Sequence, residues 1–364
     1  MNDIPKTMHA MVLTGLGDMD MYDYRTDYPV PQIGADDVLI KVAACGLNNT
    51  DVNTRSGWYS KAVSGATTGA ALEADHEDGT WGGSGLTFPR IQGADVCGHI
   101  AAVGANVDAG RIGQRVITDN WLRDWDDPLN RDKTGYFGSE CDGGFAEYTK
   151  IDHRHAIAVN SDHLDAELAT FSCSWSTAEG MLDRAQVGSG DRVLITGASG
   201  GVGSALIGLA NRRGATTIAM ASEAKHADVA KLSPSHILPR APTDLTAALK
   251  AATGHETVTV VADIVGGPYW STLIDALARG GRYTCSGAIG GPIVDMDLRT
   301  FYLNDLTFTG STVIAPHVTE NLVKYIEAGE VSPVLAATYP LEKMTDAQQA
   351  FIDKKHTGNI AVTI

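Results

Sequence analysis

Eight residues near the middle of this 364-residue chain, Thr196-Gly197-Ala198-Ser199-Gly200-Gly201-Val202-Gly203, have the composition of a loop that holds phosphate. They follow a short apolar run at 192–195 and lead into apolar residues at helical spacing over 205–210. Strand, glycine turn and helix in that order let backbone approach a pyrophosphate, while the helix N-terminus offers free N–H groups and the positive end of its dipole. Ala198 stands where the strict G-x-G-x-x-G pattern has its first glycine, so the contacts fall to Ser199, Gly200, Gly201 and Val202. The ligand this implies is a nicotinamide dinucleotide. Ser222 comes 24 residues after Ala198 (222 − 198), where an NAD-preferring fold usually has Asp or Glu to hold the ribose hydroxyls. Serine does not repel a 2′-phosphate, and Lys225 and Arg240 can pair with one. That favours NADPH. Glu223 would take the acidic role if the loop shifted by one residue, which keeps NADH as the less favoured alternative.

The surrounding pattern says what carries this loop. The N-terminal part is strand-like and glycine-rich, with strands expected at 38–44, 99–104, 113–117 and 144–149. Short strands separated by turn signals suggest a β-rich domain with barrel-like closure. Two long loops interrupt it, at 60–85 and at 120–140, the second dense in Asp, Arg and Trp. Loops of that length in a compact domain are often functional. From about residue 162 the texture becomes α/β. A helical stretch at 167–182 precedes strands expected at 192–196, 216–221, 258–264, 282–286 and 306–310, the doubly wound pattern. After about residue 331 an amphipathic helix (344–355) and a last strand (359–364) are expected to return to the first domain. The division is therefore 1–160 with 331–364, and 161–330.

Composition excludes several classes. The formal charge of -16 and 43% hydrophobic content describe an acidic chain with ample core. Nucleic acid and anionic membrane are poor partners for it. No apolar run reaches membrane-span length, and the first residues lack a signal-peptide pattern. Five scattered cysteines without a C-x-x-C pair read as reduced thiols in the cytoplasm.

Further landmarks are 44–51 (Ala-Cys-Gly-Leu-Asn-Asn-Thr-Asp), 89–98 (Pro-Arg-Ile-Gln-Gly-Ala-Asp-Val-Cys-Gly), 142–148 (Asp-Gly-Gly-Phe-Ala-Glu-Tyr), Gly280-Gly281-Arg282 and 356–360 (His-Thr-Gly-Asn-Ile). With the glycine loop they make the chain resemble the medium-chain dehydrogenase/reductase superfamily over nearly its whole length. The resemblance implies a GroES-like substrate domain, a Rossmann cofactor domain and chemistry in the cleft between them. In the zinc enzymes of that superfamily a Cys ligand falls where this chain has Asn48, and a His ligand where it has Ala94, before Asp95. Only the third ligand, Cys173, is kept, and the structural-zinc region offers Cys141 alone. A catalytic zinc needs three protein ligands, so the expectation is no metal. A rearranged site using Cys173, Asp95 and a histidine has no spacing to support it. Gly46-Leu47-Asn48-Asn49-Thr50-Asp51 followed by Arg55-Ser56-Gly57-Trp58-Tyr59 is similar to the zinc-free quinone oxidoreductase (zeta-crystallin-like) branch. The insertion after Tyr59 departs from it.

By the same resemblance Thr177 sits by the nicotinamide, Gly287, Ala288, Ile289, Ser311, Thr312 and Val313 line it, and Val265 passes near the adenosine half. Hydride transfer asks the protein for orientation and for a donor at the acceptor's oxygen. Tyr59 and Asn48 are the candidates, with Tyr59 able to deliver a proton. Asp51 either orients them or is structural. Cys173 touches substrate or is a buried small residue. His99, His153, His155 and His163 read as structural or exposed. The expected activity is zinc-independent, NADPH-dependent hydride transfer to a small electron acceptor, a quinone or an α,β-unsaturated carbonyl. The alternatives are an alcohol or aldehyde dehydrogenase-like reaction, or a low-turnover NADPH-binding protein. A homodimer is expected, paired near the strand that ends at Gly310.

Overall fold

The computed structural model describes residues 4–71 and 86–364. The part of the 60–85 loop from 72 onward lies outside the described residues.

The strand Asp37–Gly46 is the spine of the first sheet. It buries Val38, Leu39, Ile40, Val42, Ala44 and Cys45 and leaves Lys41 exposed. The sheet runs Ala156–Ala158, Arg115–Thr118, Asp95–Val103, Asp37–Gly46, Asn359–Thr363 and Leu335–Pro340 across its width. Tyr148–Asp152 also pairs with the first half of the spine, at 37–41, and Asn359–Thr363 with its last residues, 44–46. The expected strand at 144–149 thus begins later, at Tyr148, because Gly143 and Gly144 are packed against the Gln92 and Gly93 backbone. A smaller antiparallel sheet, Tyr22–Pro29 against Thr7–Leu13 against Arg90–Ile91, covers one end.

The second sheet has six parallel strands in the order His236–Pro239, Thr216–Ala221, Arg192–Ile195, Val258–Asp263, Leu277–Cys285, Thr307–Gly310. This is the 3-2-1-4-5-6 order of a doubly wound fold, whose ligand crevice lies at the carboxyl ends of the strands where the order reverses. The inner strands Arg192–Ile195, Thr216–Ala221 and Val258–Asp263 are largely buried, as cover on both faces requires, whereas the edge strand Thr307–Gly310 is not. Among the described residues no helix is long and apolar enough to cross a membrane.

Four helices position the site: α1 (Asn49–Ser56), α2 (Asp165–Leu168), α3 (Ser174–Arg184) and α4 (Gly201–Arg212). The expected helix at 167–182 is two helices. The chain leaves helical geometry at 169–173 because the Cys173 N–H is taken by the Asp95 carboxylate instead of by a fourth-previous carbonyl. That break turns Cys173 toward the cleft.

Candidate active site

At the start of α1, Asp51 is 4% exposed and accepts the Asn48 backbone N–H on Oδ2 at 2.8 Å, closing the first turn of the helix. Burial pushes its carboxyl up to about 7. Asn48 is thereby fixed, and its Nδ2 donates to Asp95 Oδ2 at 3.0 Å. Asp95 is 1% exposed; its other oxygen takes the Cys173 N–H, and burial pushes it up to about 8. Cys173 Sγ accepts a hydrogen bond from the Tyr136 hydroxyl at 3.2 Å, and that hydroxyl accepts from Asn120 Nδ2 at 3.1 Å. Burial raises the Cys173 thiol, with the Asp95 charge adding to it. Tyr59 is half-buried, and the side chains of Thr50, Asn53 and Cys173 surround its hydroxyl. Burial raises its pKa, so it stays a neutral phenol.

The cleft therefore gathers Asn48, Thr50, Tyr59, Asp95, Asn120, Tyr136 and Cys173. Asn48 caps the start of α1 and Tyr59 follows its end, and Asp51 stands behind Asn48, on its backbone N–H. Tyr136, Asn120 and Thr50 were missed. Thr50 could have been found, since it lies two residues from Asn48 on the same helix turn. Tyr136 arrives from the 120–140 loop, where Trp121–Leu122 pairs with Gly135–Tyr136 and the Trp121 and Tyr136 rings meet edge-on at 5.0 Å.

Arg55 is fully buried and donates to the Gly17 carbonyl, the Gly69 carbonyl and Gln348 Oε1. It ties the described start of the 60–85 loop to the small sheet and the tail. The same stretch reaches the cofactor domain through the Thr67 N–H on the Ile289 carbonyl at 3.0 Å. A second cross-domain link is Arg123. It is 9% exposed, ion-paired with Asp119 at 3.0 Å, and donates to the Ile314 carbonyl at 2.8 Å. Arg184 holds the Gly310 and Val313 carbonyls, so the Ser311, Thr312 and Val313 segment is braced from both domains.

In the cofactor domain, Gly200 caps α4 and Ser199, Gly201 and Val202 flank its first turn. A Cβ on Gly201 would lie 2.2 Å from Asn359 Oδ1 and 2.6 Å from Ser174 Oγ; one on Gly203 would lie 2.2 Å from the Gly197 carbonyl. The first spacing keeps backbone bare at the helix N-terminus and the second lets helix pack on strand. Among the described residues Asn359 Nδ2, beside Gly201, has no hydrogen-bond partner, nor do His356 Nδ1 and Thr357 Oγ1 just before it, nor Ser311 Oγ beside Gly180 in α3. Buried polar atoms without partners at a helix N-terminus fit a polar, phosphate-bearing ligand. Asp263 is fully buried, accepts from Thr196 Oγ1, the Val265 and Gly266 N–H groups and the Tyr283 hydroxyl, and so fixes the turn that carries Val265. Gly287, Ala288 and Ile289 follow the strand Leu277–Cys285 at the same edge, half-buried, as is Thr177 on α3. Ser222 ends the strand Thr216–Ala221; Lys225 donates its ammonium to the His356 carbonyl, and Arg240 is exposed.

All five cysteines are free thiols. Among the described residues no group of three or more His, Cys, Asp or Glu is placed to hold a metal ion.

A Rossmann sheet facing a β-rich domain, with a phosphate cradle at one lip of the cleft and neutral hydrogen-bond donors at the other, defines an NAD(P)H-dependent oxidoreductase. Residues 34–161 match the alcohol dehydrogenase GroES-like domain family and residues 201–328 the zinc-binding dehydrogenase family. A solved structure from Sinorhizobium meliloti 1021, provisionally assigned as an alcohol dehydrogenase, is 43% identical, with a TM-score of 0.90, over 100% of this chain and 98% of that one. The chain belongs to the medium-chain dehydrogenase/reductase superfamily. Curated relatives include the acryloyl-coenzyme A reductase of Sulfurisphaera tokodaii, 26% identical over 92% of this chain and 95% of the relative. The quinone oxidoreductase of Homo sapiens is 26% identical over 95% and 94%.

Proposed function

We propose that the protein is a zinc-independent, NADPH-dependent reductase that passes hydride to a quinone or to an α,β-unsaturated carbonyl. The observation that carries this reading is the Asn48–Asp95 hydrogen bond beside Ala94. An amide N–H, a methyl group and a thiol held by a phenol stand where a zinc site needs three lone-pair donors. Asp95 and Cys173 have their partners in Asn48 and Tyr136 and require no cation.

The bound cofactor would supply the hydride. Gly200, Gly201 and Val202 would hold its pyrophosphate, Ser222 and Lys225 its 2′-phosphate, and the braced 311–313 segment with Thr177 its nicotinamide end. Tyr59 and Asn48 orient the acceptor by hydrogen-bonding its carbonyl oxygen, where charge accumulates. Tyr59 then supplies the proton, from its hydroxyl or through Thr50. The names of the two curated relatives, a quinone oxidoreductase and an acryloyl-coenzyme A reductase, match the two acceptor classes. Assays of metal-analysed protein with NADPH and NADH against quinones, enones and aldehydes test the reading. Turnover confined to aldehydes, or dependent on added zinc, would move the alcohol dehydrogenase alternative to the front.

We also propose a cytoplasmic homodimer. Among the described residues Thr307–Gly310 is an edge strand, and Ile293, Leu298, Tyr302 and Leu303, which precede it in the chain, are 72%, 64%, 60% and 55% exposed. Light scattering that gave the mass of one chain would contradict the dimer.

A further inference from the structure

The segment after Tyr59 reaches across to the cofactor domain, and the space beside it has no part in the assignments above. The Trp58 ring meets the Tyr59 ring edge-on at 5.8 Å, and its Nε1 donates to the Gly65 carbonyl at 3.0 Å. Thr67 is held on the Ile289 carbonyl and Gly69 on Arg55. Residues 64–67 therefore run from beside Trp58 to beside Ile289, on opposite walls of the cleft. Ser64 and Ala66 of this strap face Gly267, Trp270, Gly291 and Asp295 of the cofactor domain across a crevice of about 390 Å³. That size suits a small ligand or one arm of a larger one.

The lining defines what fits. The Gly267 N–H donates to the Gly291 carbonyl at 3.1 Å, and a Cβ on Gly291 would lie 3.8 Å from the Ser64 carbonyl, so bare backbone joins the two loops and meets the strap. Gly291 holds φ 125°, a conformation that favours glycine. Ala66 and Trp270 give the crevice apolar surface. Among the described residues no lysine, arginine or histidine lines it, and its one charged residue is Asp295. The sequence of the 60–85 insertion has the same sign, with Lys61 against Glu73, Asp75, Glu77 and Asp78. A phosphate-bearing arm needs cations or free N–H groups to replace its water. This lining offers it like charge instead, whereas an uncharged chain loses nothing by entering.

We infer that this crevice receives the non-reacting arm of the acceptor, and that it selects an uncharged, apolar arm over a phosphorylated one such as coenzyme A. The inference rests on the acceptor reading above and narrows it to apolar enones and quinones, at the expense of acyl-coenzyme A thioesters. Ala66 and Asp295 are then specificity-determining residues, one by the room it leaves and the other by its charge. Neither touches the reacting atoms.

Steady-state kcat/KM with NADPH tests it on two matched pairs of acceptors, in wild type, Ala66→Trp and Asp295→Lys, each variant first checked for an unchanged melting temperature. The first pair is a methyl ketone enone carrying a methyl or a pentyl arm on its β-carbon. The second is the crotonyl thioester of coenzyme A or of uncharged N-acetylcysteamine. Wild type is expected to favour the pentyl arm by roughly tenfold or more, as its methylenes leave water. It is expected to use the N-acetylcysteamine thioester at least as well as the coenzyme A one. Ala66→Trp should abolish the pentyl advantage and leave the methyl enone unchanged; Asp295→Lys should move the thioester ratio several-fold toward coenzyme A. A pentyl advantage that survives Ala66→Trp, a thioester ratio unmoved by Asp295→Lys, or a wild-type preference for crotonyl-coenzyme A would overturn the crevice's role and leave the reductase reading standing. NADPH oxidation by none of these acceptors and by no quinone would overturn that reading and the crevice together.

Discussion

Asn48 Nδ2 lies 3.0 Å from Asp95 Oδ2, and this one hydrogen bond joins α1 to the second strand beside the spine of the substrate domain. It sets a neutral amide donor against the buried Asp95 carboxyl at the floor of the cleft. Replacing Asn48 with Ala leaves the buried Asp95 oxygen without its donor. The expected cost is about 1–3 kcal/mol of stability, read by denaturant unfolding, with a fall in kcat. Unchanged stability would mean that Asp95 draws its support elsewhere.

The pH dependence of stability follows from the same pair. Burial holds Asp95 at about 8 and Asp51 at about 7. Both lie above the unfolded carboxylate value of about 3.9. The folded chain therefore binds these protons more tightly than the unfolded one. Their contribution to stability is fully present below about pH 4 and is lost as pH rises through 7 and 8. Melting curves of wild type and Asp95→Asn between those limits are expected to differ in slope, with the variant losing less stability as pH rises. Parallel slopes would contradict the raised carboxyl.

Gly201 and Gly203 separate binding from packing. A methyl on Gly203 meets the Gly197 carbonyl at 2.2 Å, a backbone atom that cannot step aside. Gly203→Ala is expected to cost about 1–3 kcal/mol, measured by thermal or denaturant unfolding. A methyl on Gly201 meets the Asn359 and Ser174 side chains. Gly201→Ala is expected to weaken dinucleotide binding by about tenfold or more, seen by titration, with a smaller effect on stability.

Arg123 couples the domains through a pair buried on both sides, with side-chain exposures of 1% and 4%. Arg123→Ala removes the ion-pair partner of the buried Asp119 and the donor to the Ile314 carbonyl. The expected loss is about 3–5 kcal/mol by denaturant unfolding, and the double variant with Asp119→Ala should recover part of it.

The glycine loop was legible in the sequence because a strand, a bare turn and an apolar helix are adjacent there, and local order carries the signal. The strands flanking it were legible for the same reason. His236–Pro239 was not, since its four residues end in a proline and only Leu238 is buried. Tyr22–Pro29 was hidden by charge, because its outward positions are Asp and Arg. At the site, Asn48 and Tyr59 lie close in sequence on and after one helix. Tyr136 and Cys173 meet across 37 residues, through a loop whose path no periodicity reveals. The break before Cys173 was unreadable without knowing that the Asp95 carboxylate would compete for its N–H.

The proton-donor role proposed for Tyr59 can be tested apart from the fold. Tyr59→Phe removes only the hydroxyl that meets Thr50 and Asn53. The expected result is a fall in kcat of about a hundredfold with little change in the KM for NADPH, measured by steady-state kinetics on an enone. Full activity on every accepted substrate would remove Tyr59 from the mechanism.

The most direct test of the central claim is one steady-state assay on protein whose metal content has been measured, with NADPH and an electron-poor acceptor, before and after treatment with a zinc chelator. The account predicts turnover with sub-stoichiometric zinc and no change on chelation. Stoichiometric zinc together with activity abolished by the chelator and restored by added zinc would contradict it.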